Sequence, residues 1–406
     1  MTRPLLVLVA SVAISSAAAA QQLPELYPAP ELTIDRKAIV AHAQWPIRNV
    51  AVHADGSVVV AAQNSTSMGA FSATGAPLNW ALKVGWGGDN DINYVERFGA
   101  DRDRTWVSDG FTRQLTLIDA GGKIISAVPY PAWVYPHWGD RHTYPLFGRM
   151  SVAAVYPNGD LLVRPQSAHT LFETKGYNRS QTHLLRIEPG GAIIRDVAHF
   201  SGSDGSIILQ SDQSSHVMRV PFHAPVLWAV TGDGSRVVVA APGTTAADSG
   251  TFRVTSIGEK GDTIFSRQYP MPGVRIPRAT VDSALKTVNG FGTQTAQQVR
   301  DKVAKQIPEF RSYLTGLFVG PDHSTWIIQR PVNDTSKARV ALVLDERGEP
   351  VSRVNLHDSL TVFAVDKAHM WAAVRTPPAL VRFTLVPTPP RAAPPPRSAS
   401  ASTGRE

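Results

Sequence analysis

Leu227-Trp-Ala-Val230, Gly232-Asp233-Gly234 and Val237-Val-Val239, then residues 252–257, Lys260-Gly261 and Ile264-Phe265, spell out one full unit of the pattern that decides the fold. Two apolar segments flank a Gly-bearing turn. A variable loop follows, and two further segments flank a second Gly turn. Short apolar runs joined by glycine turns predict antiparallel strands, because such turns need the positive φ that glycine adopts without strain. The unit reads as a four-stranded sheet.

The same order recurs on both sides of it. Asn49-Val-Ala-Val52, His53-Ala-Asp55-Gly56 and Val58-Val-Val60 open the first unit, with a later turn at Thr74-Gly75. The second has Arg104-Thr-Trp106-Val107, Leu115-Thr-Leu-Ile118 and the turn Asp119-Ala-Gly121-Gly122. The third runs from residues 152–156 through Pro157-Asn158-Gly159 and Leu161-Leu-Val163 to Leu184-Leu-Arg-Ile187 and Pro189-Gly190-Gly191. Downstream, Leu317-Phe-Val319, Pro321-Asp322-His323, Trp326-Ile-Ile328 and residues 340–344 form the fifth. The sixth has residues 361–365, Met370-Trp371-Ala372 and 380–385, and stops after three strands.

A four-strand unit repeated six times predicts an all-β fold, a six-bladed β-propeller with its sheets packed around an axis. A seventh sheet would have to lie in one of the inserts. Residues 32–43, with Ile34, Ala38, Ile39 and Val40, are expected to supply the missing strand, so that the N-terminal segment closes the ring and leaves no bare edge. Trp106, Trp326 and Trp371 recur soon after the first turn of their units and are expected to fill the gap between neighbouring sheets. Two stretches depart from the repeat. Residues 129–145 are rich in aromatics and proline, and 270–308 form a partly helical insert between the fourth and fifth units. In that insert Val299, Val303 and Ile307 are spaced by four, Thr293 or Thr295 is available as a cap, and Pro308 ends the run.

The ends and the composition set the context. Arg3, an apolar run over 5–14 and Ala18-Ala19-Ala20 before Gln21 have the form of a secretory signal peptide. The run falls short of the roughly twenty apolar residues that a membrane span needs, and no later stretch comes closer. Residues 1–20 are therefore read as a cleaved signal peptide, 21–31 as a linker, 32–386 as the propeller and 387–406 as a disordered tail of Pro, Ala, Ser and Arg. The expected location is the periplasm or the outside medium. The chain has no cysteine, which removes disulfides, thiol catalysis, zinc–thiolate sites and a lipid-modified cysteine, and leaves stability to the core. Formal charge is +7, but Arg382, Arg391, Arg397 and Arg405 against Glu406 place much of it at the C-terminal end. No nucleic-acid partner is expected.

With the units laid out, the chain resembles the six-bladed TolB-like and NHL-type propellers, and more narrowly a group of exported bacterial six-bladed propeller proteins without assigned activity. Arg219-Val-Pro-Phe222 leading into Trp228-Ala-Val-Thr231-Gly-Asp-Gly234 carries the resemblance, with the insert before unit five and Pro321-Asp-His-Ser-Thr-Trp326 followed by Arg330. The resemblance implies a fold and an exported setting. It implies no reaction, since propellers host hydrolases, lyases, receptors and scaffolds.

Three units place an arginine at the end of the second strand: Arg164, Arg330 and Arg375. Unit two holds Asp109 at the matching place. Converging at a channel mouth, those guanidiniums would bind a carboxylate, phosphate or sulfate; dispersed, each would pair locally. His137, Asp140 and His142 form a His-x-x-Asp-x-His pattern in the aromatic loop that could ligate a divalent metal, against the simpler reading of ordinary loop residues. Trp133, Tyr135, Trp138 and Tyr144 of that loop either stack on a sugar or peptide or pack the loop down. Neither a Gly-x-Ser-x-Gly elbow nor a His-Glu-x-x-His motif occurs. The reading is a monomeric binding or scaffolding propeller that recognises a protein, peptide or polysaccharide outside the cytoplasm, with no catalytic residues and no cofactor. The alternative is a channel-site lactonase or related hydrolase or lyase acting on an anionic substrate, and only that reading calls for Ca2+.

Overall fold

The glycine turns are built alike, and they set the frame. In the computed structural model, residues 23–387 are described except 44, 63–66, 81, 86–90, 102, 131–134, 137–148, 167–180, 202–205, 211–214, 224, 244–249, 272–273 and 331–337. Asp55 Oδ1 accepts from the Ser57 amide at 2.9 Å and from its hydroxyl at 2.6 Å. Asp233 holds Ser235 in the same way at 3.0 and 2.7 Å, and Asp322 holds Ser324 at 3.1 and 2.7 Å. A carboxylate that satisfies backbone two residues on fixes the turn locally, before any tertiary contact forms. Gly56 and Gly234 take φ of +84° and +71°, while the third turn puts His323 in that left-handed position at +62°.

From the N-terminus, β1 (Glu25–Asp35) leads into α1 (Arg36–His42), and β2 (Ile47–Val52), β3 (Val58–Ala62), β4 (Met68–Phe71) and β5 (Pro77–Leu78) form a first sheet. The next is β6 (Val95–Asp101), β7 (Arg104–Asp109), β8 (Gln114–Asp119) and β9 (Ile124–Pro129). A two-residue strand, β10 (Tyr135–Pro136), lies parallel to the edge of the third sheet, β11 (Arg149–Val155), β12 (Leu161–Gln166), β13 (Gln181–Ile187) and β14 (Ala192–Ser201). The hairpin β15 (Ser206–Gln210) and β16 (Ser215–Arg219) stands apart. The fourth sheet has β17 (Leu227–Val230), β18 (Arg236–Pro242), β19 (Thr251–Gly258) and β20 (Thr263–Pro270). The insert carries β21 (Val274–Arg275), α2 (Arg278–Lys286), α3 (Ala296–Ala304) and β22 (Phe310–Arg311).

The remaining strands are β23 (Leu314–Val319), β24 (Thr325–Gln329), β25 (Ala338–Leu344), β26 (Pro350–His357), β27 (Thr361–Val365), β28 (His369–Arg375) and β29 (Pro378–Pro387). Together with β1 they make one eight-stranded sheet, in the order β23-β24-β25-β26-β1-β29-β28-β27. Its two antiparallel halves meet only where β1 runs parallel to β26, at Glu25↔Arg353 and Leu26↔Val354.

The sheets stand in a propeller-like ring, with their first strands innermost. β2 lies against β6 and β27, β11 against β6, and β23 against β17 and β27. Between β11 and β17 the Val155 amide donates to Gly232 O at 3.5 Å, over a core of Ala153, Ala154, Tyr156, Val237 and Val239. The tryptophans fill the seams. Trp106 packs with Met150, Val152 and Leu161 of the next sheet, Trp326 with Leu360 and Val362, and Trp371 with Val50, Val58 and Phe71.

The closing strand starts earlier than the sequence suggests, at Glu25, inside the stretch expected as a linker. Two prolines disguise it. Pro24 O accepts from the Arg353 amide, so by strand parity the missing N–H groups of Pro28 and Pro30 also face away from β29. The strand also ends sooner than expected. Asp35 accepts from the Ala38 amide at 2.7 Å as an N-cap and turns residues 36–42 into helix, which buries Ile39 instead of pairing it.

A second apolar core lies outside the ring. Leu209 and Val220, at the β15–β16 hairpin, pack on Val288, Val299 and Val303 of the insert. His216 stacks on Phe291 with ring centroids 5.4 Å apart, and Arg311 sits 5.6 Å over Phe222. α3 begins in a capping box between Thr295 and Gln298. The hairpin and the insert therefore form one accessory unit. Among the described residues no helix is long and apolar enough to cross a membrane.

Gly232 approaches the opposite wall so closely that a Cβ there would lie 1.8 Å from Ala100 O, and its own carbonyl accepts from Trp106 Nε1 at 3.2 Å. Gly232→Ala should cost about 3 kcal/mol or more in urea unfolding, through forced separation of packed backbone. Gly159→Ala, at φ +92° with no atom within 4 Å of the added carbon, should cost only about 1–2 kcal/mol of backbone strain.

His53 is buried between Ser57 Oγ at 3.0 Å and Thr105 Oγ1 at 2.7 Å. Burial holds it below its usual pKa, and burial does the same to His323, with Arg236 adding to the effect. Both stay neutral in the fold, whereas the unfolded chain takes up protons near pH 6.5. Their contribution is complete above about pH 6.5 and is lost as the pH falls through that value toward the lower folded pKa values. The thermal midpoint should therefore drop between pH 7 and pH 5, with a shallower slope in His53→Gln.

Candidate functional site

Strand parity divides the connections between two faces. In each sheet the first strand starts, and the second ends, on the same face, because neighbours are antiparallel. The opposite face carries only tight returns, such as 53–57, 119–123, 156–160, 231–235, 258–262, 320–324 and 345–349. Every long connection begins and ends on the first face. These include 79–94, 130–148, 167–180, 202–226, 271–313 and 330–337. The accessory unit belongs to this face as well.

At the tight-turn end, the contact of Gly232 with Ala100 and Trp106 joins β6–β7 to the turn after β17. Nearer the long-loop face three side chains gather. Arg97 lies near the start of β6, Trp228 near the start of β17, and Arg164 near the end of β12. The Arg97 and Arg164 guanidiniums stand 6.0 and 5.9 Å from the Trp228 ring centroid, and Phe200 flanks the indole at 6.5 Å. Arg97 is held below the usual arginine pKa by burial first and by Arg164 second, with Glu96 acting the other way. Glu96, its chain neighbour at a register shift between Val95 and Arg97, accepts from the Tyr130 hydroxyl at 3.4 Å.

Arg330 and Arg375 belong to a different group. Both are exposed. Burial holds Arg339 below the usual arginine pKa, Asp358 acts the other way, and Arg330 and Arg375 add to the lowering. Arg339 donates to the carbonyls of His357 and Leu360, and its Nε lies 3.8 Å from Asp358. Arg330 also borders a groove of about 420 Å³ with Tyr269, Met271, Tyr313, Leu342 and Arg353. Of the three arginines singled out in the sequence, the structure thus groups Arg330 with Arg375 around Arg339, and gives Arg164 two partners of its own.

Asp109 is buried, and four amides take its oxygens. Oδ1 accepts from Phe111 and Thr112 at 2.8 and 3.0 Å, Oδ2 from Asn93 and Tyr94 at 2.7 and 3.3 Å. It clamps two loops together. His137, Asp140 and His142 lie outside the described residues. Among the described residues no three His, Asp or Glu side chains gather in a metal-binding cluster. Arg97 and Trp228 were missed as site residues. The only local sign was the Trp228 segment, which stands out in the sequence for its turn.

No family model matches the chain, and no curated protein matches it. Solved structures do align. A Bacteroides fragilis protein taken to be exported is 11% identical, over 91% of this chain and 97% of its own, with a TM-score of 0.44. A duf4221 family member from Bacteroides vulgatus is 10% identical over 90% and 100%, with a TM-score of 0.40. Virginiamycin B lyase from Staphylococcus aureus is 11% identical over 84% and 95%, with a TM-score of 0.37. At these values the fold assignment rests on the strand order described above.

Asp109→Ala would strip four part-buried hydrogen bonds of their acceptor, so urea unfolding should show a loss of about 3 kcal/mol. Asp109→Asn, which keeps one carbonyl oxygen, should lose about half as much.

Proposed function

We propose that the chain is an exported, monomeric binding propeller of six blades, each half of the eight-stranded sheet counting as one, that takes a protein, peptide or polysaccharide on its long-loop face. One observation carries this reading. Every long connection, the accessory unit and the Arg97–Trp228–Arg164 group share one face, while the other face is made of tight turns, several of them braced by their own side chains. Loops can vary without disturbing the strands they join, so a face built of loops is where recognition is built. The apolar run over 5–14 followed by Ala18-Ala19-Ala20 supports export. Closure of the ring by the chain's own N-terminal strand supports a monomer.

Hydroxyl-radical footprinting of the purified protein with and without an extract of the native cell envelope tests the surface. Protection is expected at Phe222 and Trp228 on the long-loop face. The turns at 53–57, 156–160 and 345–349 should stay as reactive as before. Protection confined to those turns would reverse the assignment of the face.

A further inference from the structure

Among the described residues, several half-buried or buried arginines have a carboxylate or a carbonyl as partner. Arg186 pairs with Asp160 at 2.8 Å and lies 4.2 Å over Tyr156. Arg382 forks onto both oxygens of Glu31 at 2.9 and 3.1 Å. Arg236 donates to Glu346 O at 2.8 Å, and Arg339 uses two carbonyls and Asp358. Arg97 and Arg164 make no hydrogen bond or ion pair among the described residues and share only Trp228. They come from different sheets, so no local motif brings them together. Two like charges held close beside an indole, one of them largely out of water, oppose folding unless something anionic joins them.

We propose that this group is a carboxylate subsite. Arg97 and Arg164 take the two oxygens of one carboxylate, and Trp228 meets the ring that carries it. The assignment rests on the long-loop face being the binding face. Guanidiniums present planar forks that match a carboxylate, and a half-exposed indole favours a flat or CH-rich ring over bare inorganic anion. The contact of Gly232 with Ala100 obstructs the way past the site. A ligand therefore enters from the loops and presents a terminal group, not the middle of a threaded chain. The shared chemistry, a carboxylate on a ring, belongs both to sugar acids and to aromatic acids.

Calorimetric titration of the full chain with galacturonate, benzoate, inorganic phosphate, galactose and benzyl alcohol tests it. Galacturonate or benzoate should bind, whereas the two neutral analogues should not. Tighter galacturonate assigns the sugar-acid source, and tighter benzoate the aromatic one. Arg97→Gln and Arg164→Gln should each weaken the bound acid by about tenfold or more, which is about 1.4 kcal/mol. Trp228→Leu should weaken it while leaving any phosphate binding unchanged. The ligand-free midpoints of Arg97→Gln and Arg164→Gln should equal or exceed wild type, because a repulsion is relieved. Three results would each overturn the subsite: no binding of either acid, phosphate binding as tightly as both, or lowered ligand-free midpoints that show the arginines to be structural. A footprint on the long-loop face alongside any of these would leave the binding-face reading standing without this ligand.

Discussion

Nine backbone pairings between β1 and β29, from Leu26↔Pro387 to Asp35↔Ala379, hold the ring shut, and the rest of the structure depends on them. Without β1 the last sheet would show the bare edge of β29, a ready template for another strand. The same strand touches β26 over two residues and so stitches the sheet before it to the closing one. Arg382 on Glu31 adds a bidentate pair across the seam, and Thr384 donates to the same carboxylate at 2.8 Å. Hydrogen bonding by Thr384, and then by Arg382, holds Glu31 below the usual carboxylate pKa. Glu31 is largely exposed, so the ion pair itself adds little; the ladder carries the closure.

A closed ring forces its inner strands together, and their side chains decide how far. Small residues let one end draw in: Ala100 meets Gly232, and Gly99 leaves room for the Trp106 indole, whose Cζ2 would lie 2.7 Å from a Cβ at that position. At the other end Arg97 and Trp228 are too large to allow the same approach. Residue size thus differs between the two ends of β6 and β17. Antiparallel order then adds direction, since it places every long connection at the end that holds Arg97 and Trp228.

Much of this was legible because it is local. An Asp or Asn two residues before a Ser or Asp, with Gly between or nearby, makes a turn whatever surrounds it. Asp55, Asn158 and Asp233 announce themselves for that reason. The α3 cap at Thr295 and the apolar spacing of Val299 and Val303 are equally local. Less legible were segments whose identity comes from partners elsewhere. Strand β6 reads Val-Glu-Arg-Phe-Gly-Ala-Asp and lacks an apolar run, because its glycine serves Trp106 and its arginine faces the channel. Strand β1 hides behind Pro28 and Pro30, which strand parity makes harmless. The β15–β16 hairpin has an apolar face at Ile207, Leu209 and Met218 like that of a blade hairpin, but it packs on the helices of a distant insert. The arginines at the ends of second strands were visible as a set. Only the packing of the sheets shows that Arg164 belongs with Arg97, a residue from another unit.

The division of polar groups between the two faces gives the last step. On the tight-turn face, polar side chains are spent on one another: His53 on Ser57 and Thr105, Thr231 on Ser235, Ser235 on His323 at 3.2 Å. Each such contact links a turn to itself or to its neighbour, so this face stiffens the ring. On the long-loop face two guanidiniums sit half-buried with no hydrogen bond or ion pair among the described residues, next to an aromatic ring. A chain selected for stability alone would have supplied a carboxylate or removed one arginine, as it does around Arg186 and Arg382. The imbalance lies at the end of β6 and β17 nearer the long loops, not at the end where Gly232 meets Ala100. The polar groups that stiffen the ring and the arginines without a partner among the described residues thus lie at opposite ends of the same strands, which is the asymmetry that the proposed binding face rests on.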